Sequence, residues 1–316
     1  MTGGMDHQPI GRRRLFFALG AIALLLSSTS CATLSDRGKP LVPTRYQLRS
    51  GPFIIFSNFA MADDPPALRC LQALERDMKQ HLDFAPRMDA EPVEIYVLDD
   101  RNAFAHFLKF YYPELPPRRA FFLAQGSQRV VYTYSSPRLE EDLRHEATHA
   151  LLHGSFGNLA LWLDEGLAEY FETDLAQPGA ERERIDHITE DLAGGWSPSL
   201  PRLESLNDIR QMTPRDYREA WAWVHLFLDN SRAEKEVLLA SLASLNEAPD
   251  KLRLEEKGAT NERLLAHIKS LQSRSSATPP IEADHSVRMQ DKTAEVSAAN
   301  PATRGLLRRF RTWIGL

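Results

Sequence analysis

The amino-acid sequence predicts an α+β fold: a small mixed sheet with helices, followed by a mostly helical part. Two observations carry this. Between residues 46 and 136, short runs rich in aromatic and β-branched residues alternate with helix-periodic segments, the pattern of a small α/β unit. Beyond residue 136 the extended runs stop, and one helix-periodic segment follows another.

Taken in order, "YQLRSGPFIIFSNFA" reads as two extended segments broken at Gly51-Pro52. Asp63 and Asp64 before Pro65 and Pro66 signal a helix start, and Leu68, Leu71, Leu74, Met78 and Leu82 then recur at helical spacing. "VEIYVL" at 93–98 is a strand, and "RNAFAHFLKFYY" is a helix that ends before Pro113. "AFFLAQGSQRVVYTYSS" is a hairpin turning near Gly126. Ser136 is expected to cap the next helix, with Pro137 in its first turn and Glu140 and Glu141 on its positive end. Further helices are expected at about 158–173, 181–193, 214–229, 232–245 and 260–272.

With 316 residues, 43% hydrophobic and 26% charged, the chain has the composition of a globular protein with material for a real core. Its formal charge of −5 gives no basic surplus for nucleic acid. Residues 1–30 read as an export signal, a basic cluster followed by an apolar run too short to span a bilayer. "RRLFF" resembles the twin-arginine motif, with Arg12 in place of the usual Ser or Thr. "SSTSC" resembles a bacterial lipobox, with Ser28 where Leu is usual, which implies cleavage before Cys31, its lipidation, and a periplasmic or membrane-anchored protein. An oxidising compartment would allow a Cys31–Cys70 disulfide, but two cysteines make no framework, and Cys70 reads as a small buried hydrophobe. Residues 45–272 form the expected folded domain. Residues 273–300 read as a disordered linker, and 301–316, "PATRGLLRRFRTWIGL", as a basic amphipathic tail able to lie on an anionic membrane or dock on a partner.

Chemistry concentrates between residues 144 and 172, "RHEATHALLHGSFGNLALWLDEGLAEYFE". His145-Glu146-Ala147-Thr148-His149 places two imidazoles one helical turn apart on one face, where both can point at a single ion, with Glu146 beside the first as a candidate general base. His153 continues the run, but each further step of four residues rotates by about 40° and climbs a turn, away from that ion. A zinc site that performs catalysis needs a third protein ligand. Gly154 and Gly157 are expected to let the next helix fold back antiparallel, with Trp162, Leu163 and Leu167 packed between the two, and that helix offers Asp164, Glu165, Glu169 and Glu172.

"HEATH" followed by "LWLDEGLAEYF" resembles the gluzincin zinc metallopeptidases, the thermolysin-like and aminopeptidase-like clan, most closely the small bacterial peptidase-MA-like domains. The resemblance covers about thirty residues directly and extends across residues 120 to 230. It implies Zn2+ as cofactor, Glu165 as third ligand beside His145 and His149, and Glu169 as the carboxylate that holds His145. Gly166 then marks a close approach of the two helices. The fifteen residues between His149 and Glu165 are fewer than the larger members have.

The chemistry that follows is peptide hydrolysis, with water activated by the metal and Glu146 taking and returning its proton. Tyr217, in "DYREAWAWVHLFLDN", is the candidate oxyanion donor, with His225 as a second candidate and Trp221, Val224 and Phe227 as core. "RVVYTY" at 129–134 is expected at the sheet edge, where an extended peptide substrate can add as a strand, unless it lies in the sheet interior. The competing functions are a non-enzymatic zinc-binding envelope module and a hydrolase of another amide such as a cell-wall cross-link.

Overall fold

In β1 (Tyr46–Ser50) and β2 (Phe53–Ser57) the chain makes an antiparallel hairpin whose turn sits at Gly51-Pro52. Gly51 has a φ of +54°, and Pro52 follows with its fixed negative φ, which is the order of a type II′ turn. The computed structural model describes residues 42–62, 65–83, 91–177, 181–244 and 259–277; the export segment, Cys31, the basic tail and most of the expected linker lie outside them. Helix α1 (Pro66–Leu82) has Pro at its first position, tolerable because the first helical N–H has no intrahelical partner. Its five periodic apolar residues are all buried.

Strand β3 (Val93–Leu98), helix α2 (Arg101–Tyr111), and the hairpin β4 (Phe121–Gln125) and β5 (Gln128–Tyr134) complete the sheet. The Asp100 carboxylate accepts from the Ala103 N–H at 2.8 Å and so starts α2. The strand order is β1-β2-β3-β5-β4, with β2–β3 and β3–β5 parallel and the two outer pairs antiparallel. This corrects the expectation for residues 129–134: β5 lies inside the sheet, and β4 is the edge strand on that side, as β1 is on the other. The continuous run Val130–Tyr134 suits an interior strand covered on both faces.

Period-two alternation sorts the side chains. Phe53, Ile55, Val93, Ile95, Val97 and Val131 join the main core with α1 and α3, while Leu98, Phe121, Leu123 and Tyr134 pack with Phe104, Phe107 and Leu108 of α2. On the α2 face Phe56, Tyr96, Tyr132 and Phe121 stand in register across four strands, with ring centroids 4.9, 5.4 and 5.1 Å apart. Such cross-strand aromatic pairs fix the register that aims the strand ends.

Helix α3 (Leu139–Phe156) starts two residues later than expected. Ser136 does not cap it; its hydroxyl accepts from the Arg138 N–H at 3.2 Å inside a preceding turn. The helix also runs through Gly154, and Gly157, at a φ of +69°, is the residue that ends it. Gly154 is small for another reason: a Cβ there would stand 1.9 Å from Nη1 of Arg129. Helix α4 (Leu161–Glu172) follows, then α5 (Arg182–Ala193), a short α6 (Leu200–Glu204), α7 (Pro214–Asp229), α8 (Arg232–Ser244) and α9 (Asn261–Ala277). The last continues past 273 because no proline or glycine interrupts it before Pro279.

Trp162, Leu163 and Leu167 of α4 are fully buried, as are Trp221 and Val224 of α7. Gly166 meets α7 rather than α3: a Cβ there would stand 2.7 Å from the Ala220 carbonyl oxygen and 2.9 Å from Cγ2 of Val224. The chain therefore fixes α4 by a backbone-level contact with α7, directly beside Glu165.

Candidate metal centre

Leu143, Ala147, Ala150 and Leu151 seat α3 in the core and leave His145, Glu146 and His149 toward α4. Arg144, next to His145, donates to the Phe171 carbonyl at 2.7 Å and pairs with Asp77 of α1 at 2.6 Å, tying α3 to the end of α4 and to α1.

Within this frame Nε2 of His145 and Nε2 of His149 are 3.3 Å apart, and Oε2 of Glu165 is 3.8 Å from each. The other ring nitrogens have carboxylates of their own. Nδ1 of His145 is 3.0 Å from Oε2 of Glu172, and Nδ1 of His149 is 3.1 Å from Oδ2 of Asp164. A carboxylate on Nδ1 assigns the ring proton there and leaves both Nε2 lone pairs aimed at the Glu165 side. Donors 3.3 Å apart suit one ion about 2.0–2.1 Å from each nitrogen at a near-tetrahedral angle. By geometry and donor chemistry, His145, His149 and Glu165 could hold a metal ion, their ligand atoms all lying within 4.8 Å of one another.

Burial raises the Glu165 carboxyl to about 7, against the pull of the two imidazoles. Burial opposes charge on His149, but Asp164 and Glu165 outweigh it and bring the ring to about 9. Burial opposes charge on His145 too, and the Glu172 hydrogen bond and charge carry it well above the ordinary value. The carboxylates around the two rings favour a positive charge at this point, and a proton on the Nε2 atoms and a metal ion there are alternatives.

The expectation that Glu169 holds His145 is corrected. Glu172 occupies that place, while Glu169 pairs with Nη2 of Arg184 at 2.9 Å. Helical geometry explains it, since seven residues beyond Glu165 fall about 20° from its line and four residues about 40° off. Arg184 also reaches Glu172 at 3.4 Å, so α5 braces the carboxylate that orients His145. No local signal marks Arg184, which arrives from another helix.

Glu146 is half-buried and lines a cleft of about 1100 Å³ together with His145, Glu169, Glu172 and Tyr217. The charge of Glu146 bears on His145, on Glu165 and on the Tyr217 hydroxyl. Burial, followed by Glu165 and Glu169, raises that phenol, which stays protonated and able to donate. His153 points elsewhere, its ring 5.9 Å from that of Phe122. Cys70 is a buried free thiol, raised by burial to about 12.

His225 does not reach the cleft chemistry. It is buried behind α4, with Nε2 3.1 Å from Glu181 and Nδ1 3.0 Å from Nε2 of His267, whose own Nδ1 is 3.2 Å from Oδ1 of Asn230. Of the two proton assignments that satisfy all three contacts, the one that makes His225 the imidazolium puts the charge beside Glu181 and leaves His267 a neutral acceptor. Burial, followed by the His225 charge, accordingly lowers His267 to about 3. Because the folded value lies below the unfolded one of 6.5, the unfolded chain takes the proton first as pH falls. Stability held above about pH 6.5 is then lost down to about pH 3 at up to about 1.4 kcal/mol per pH unit. Urea unfolding across this range should show a slope shallower by up to one proton in His267→Gln; an unchanged slope would remove His267 from the acid response.

Neither a protein-family model nor a curated protein matches the chain.

Proposed function

We propose that this chain is a zinc-dependent peptidase of the bacterial envelope, of the gluzincin kind that its motifs resemble. The single observation that carries this reading is the convergence of His145, His149 and Glu165 on one point, each ring turned by its own carboxylate, with His145 and Glu146 lining the same cleft. A bound Zn2+ supplies a Lewis acid that makes water acidic near neutrality and polarises a carbonyl. Glu146 accepts the proton of the attacking water and returns it to the departing amine. Tyr217, kept protonated, donates to the oxygen on which charge develops. The free edge of β4 offers backbone groups to an extended polypeptide. A purely structural zinc module has no use for Glu146 in the cleft, which favours hydrolysis over that alternative, and a different amide such as a cell-wall cross-link would use the same groups. Export through residues 1–30 and lipidation at Cys31 would place the protein in the periplasm or on the membrane, with the 301–316 tail as a second membrane contact.

The purified protein should hold one zinc per chain and cleave an unfolded protein substrate, lose that activity to a chelator, and regain it with added zinc. Protein without bound metal and without chelator-sensitive cleavage would overturn the proposal.

A further inference from the structure

The cleft beside Glu146 is lined by eight arginines, and five of them are held by carboxylates. Arg119 binds Asp142 at 2.7 Å and Glu141 at 3.2 Å, Arg138 binds Glu141, and Arg218 binds Asp191 at 2.6 Å. Arg184 and Arg144 are taken by the carboxylates described above. Arg118 differs. It is exposed, lines the cleft, and forms no ion pair with a described residue. Arg76, on α1, is likewise without an ion pair among the described residues, but Arg118 is the one whose charge acts on the Tyr217 hydroxyl.

Its backbone is also held in place. Pro116 and Pro117 fix two φ angles before it, and Arg119 after it is clamped to the first turn of α3, with Nε of Arg119 2.9 and 3.2 Å from the two oxygens of Asp142. Arg118 therefore stands on a preorganised segment between the start of edge strand β4 and the turn of α3 that leads to Glu146. A guanidinium in such a place offers a planar fork of donors suited to a carboxylate, and its backbone needs no further ordering.

We propose that Arg118 anchors a carboxylate of the polypeptide in the cleft, so that the site selects acidic ligands. This rests on the reading that a polypeptide occupies the cleft. The carboxylate comes from an acidic side chain or from a chain terminus, and the two are separable by experiment. Anisotropy titrations use three labelled peptides: one with internal glutamates and an amidated end, one neutral with a free C-terminal carboxylate, one neutral and amidated. They are added to full-length protein carrying Glu146→Gln with zinc, which retains bound peptide. One carboxylate-bearing peptide should bind about tenfold tighter than the neutral amidated one, and which of the two does so identifies the source. Arg118→Glu added to this protein should abolish the difference, and Arg118→Lys should keep part of it. Equal binding of all three, a preference that survives Arg118→Glu, or no binding at all would overturn the anchor. If wild-type protein cleaves none of these peptides while the Arg118-dependent preference holds, the hydrolytic reading falls and the anchor stands. Cleavage without charge discrimination removes the anchor and leaves hydrolysis standing.

Discussion

Glu146→Gln should leave the protein folded and zinc-loaded while lowering kcat by about 10²–10⁴-fold, the range that a positioned general base contributes. Glutamine keeps the shape of the side chain but cannot accept the proton. The two rings keep their own orienting carboxylates, Glu172 on His145 and Asp164 on His149, so the substitution does not touch the ligand geometry. Zinc content by elemental analysis and turnover of an unfolded protein substrate, measured on the same preparation, separate binding from chemistry. Full turnover by the zinc-loaded variant, with contaminating protease removed by a second purification step, would exclude Glu146 from proton transfer.

Glu165→Ala should fail at the earlier step. Oε2 of Glu165 faces both Nε2 atoms at 3.8 Å, and α4 offers no other carboxylate to them, since Asp164 and Glu172 are engaged on the Nδ1 side and Glu169 with Arg184. Its loss should weaken zinc by more than the about 10–100-fold expected when an outer partner is removed, because a direct ligand goes. After dialysis against a weak chelator the variant should hold far less than one zinc per chain while its circular dichroism stays that of a folded protein. Equal zinc retention by variant and wild type would take Glu165 out of the ligand set.

The α+β architecture and nearly every element were legible because the local signals agreed with the packing. The period-two strands at 93–98 and 121–134, the proline-started helices α1 and α7, and the five buried residues of α1 all follow the sequence pattern. The His145, His149 and Glu165 set was legible for the same reason, since helical spacing brings two of its members together and a family motif supplies the third. What stayed hidden was nonlocal. That β5 is interior depends on which strands flank it, and β5 alone does not encode its neighbours. Glu172 takes the place expected of Glu169 because it falls about 20° from the line of Glu165 and Glu169 about 40° to the other side, a choice that motif spacing alone does not make. His225, a second donor candidate by sequence, belongs to a buried proton chain with Glu181 and His267, partners from the segment before α5 and from α9.

The contact at Gly166 links the chemistry to the architecture in one further way. A methyl group 2.7 Å from the Ala220 carbonyl has to push the helices apart by several tenths of an ångström, and the next residue toward the N-terminus is Glu165. The tolerance of the candidate metal centre's geometry is therefore set by a seam between two helices where the nearest groups to Gly166 are the Ala220 carbonyl and the Val224 side chain. Variation at this seam should blunt the proposed activity well before it unfolds the molecule, and a screen that scores only soluble, folded protein would pass such variants as sound.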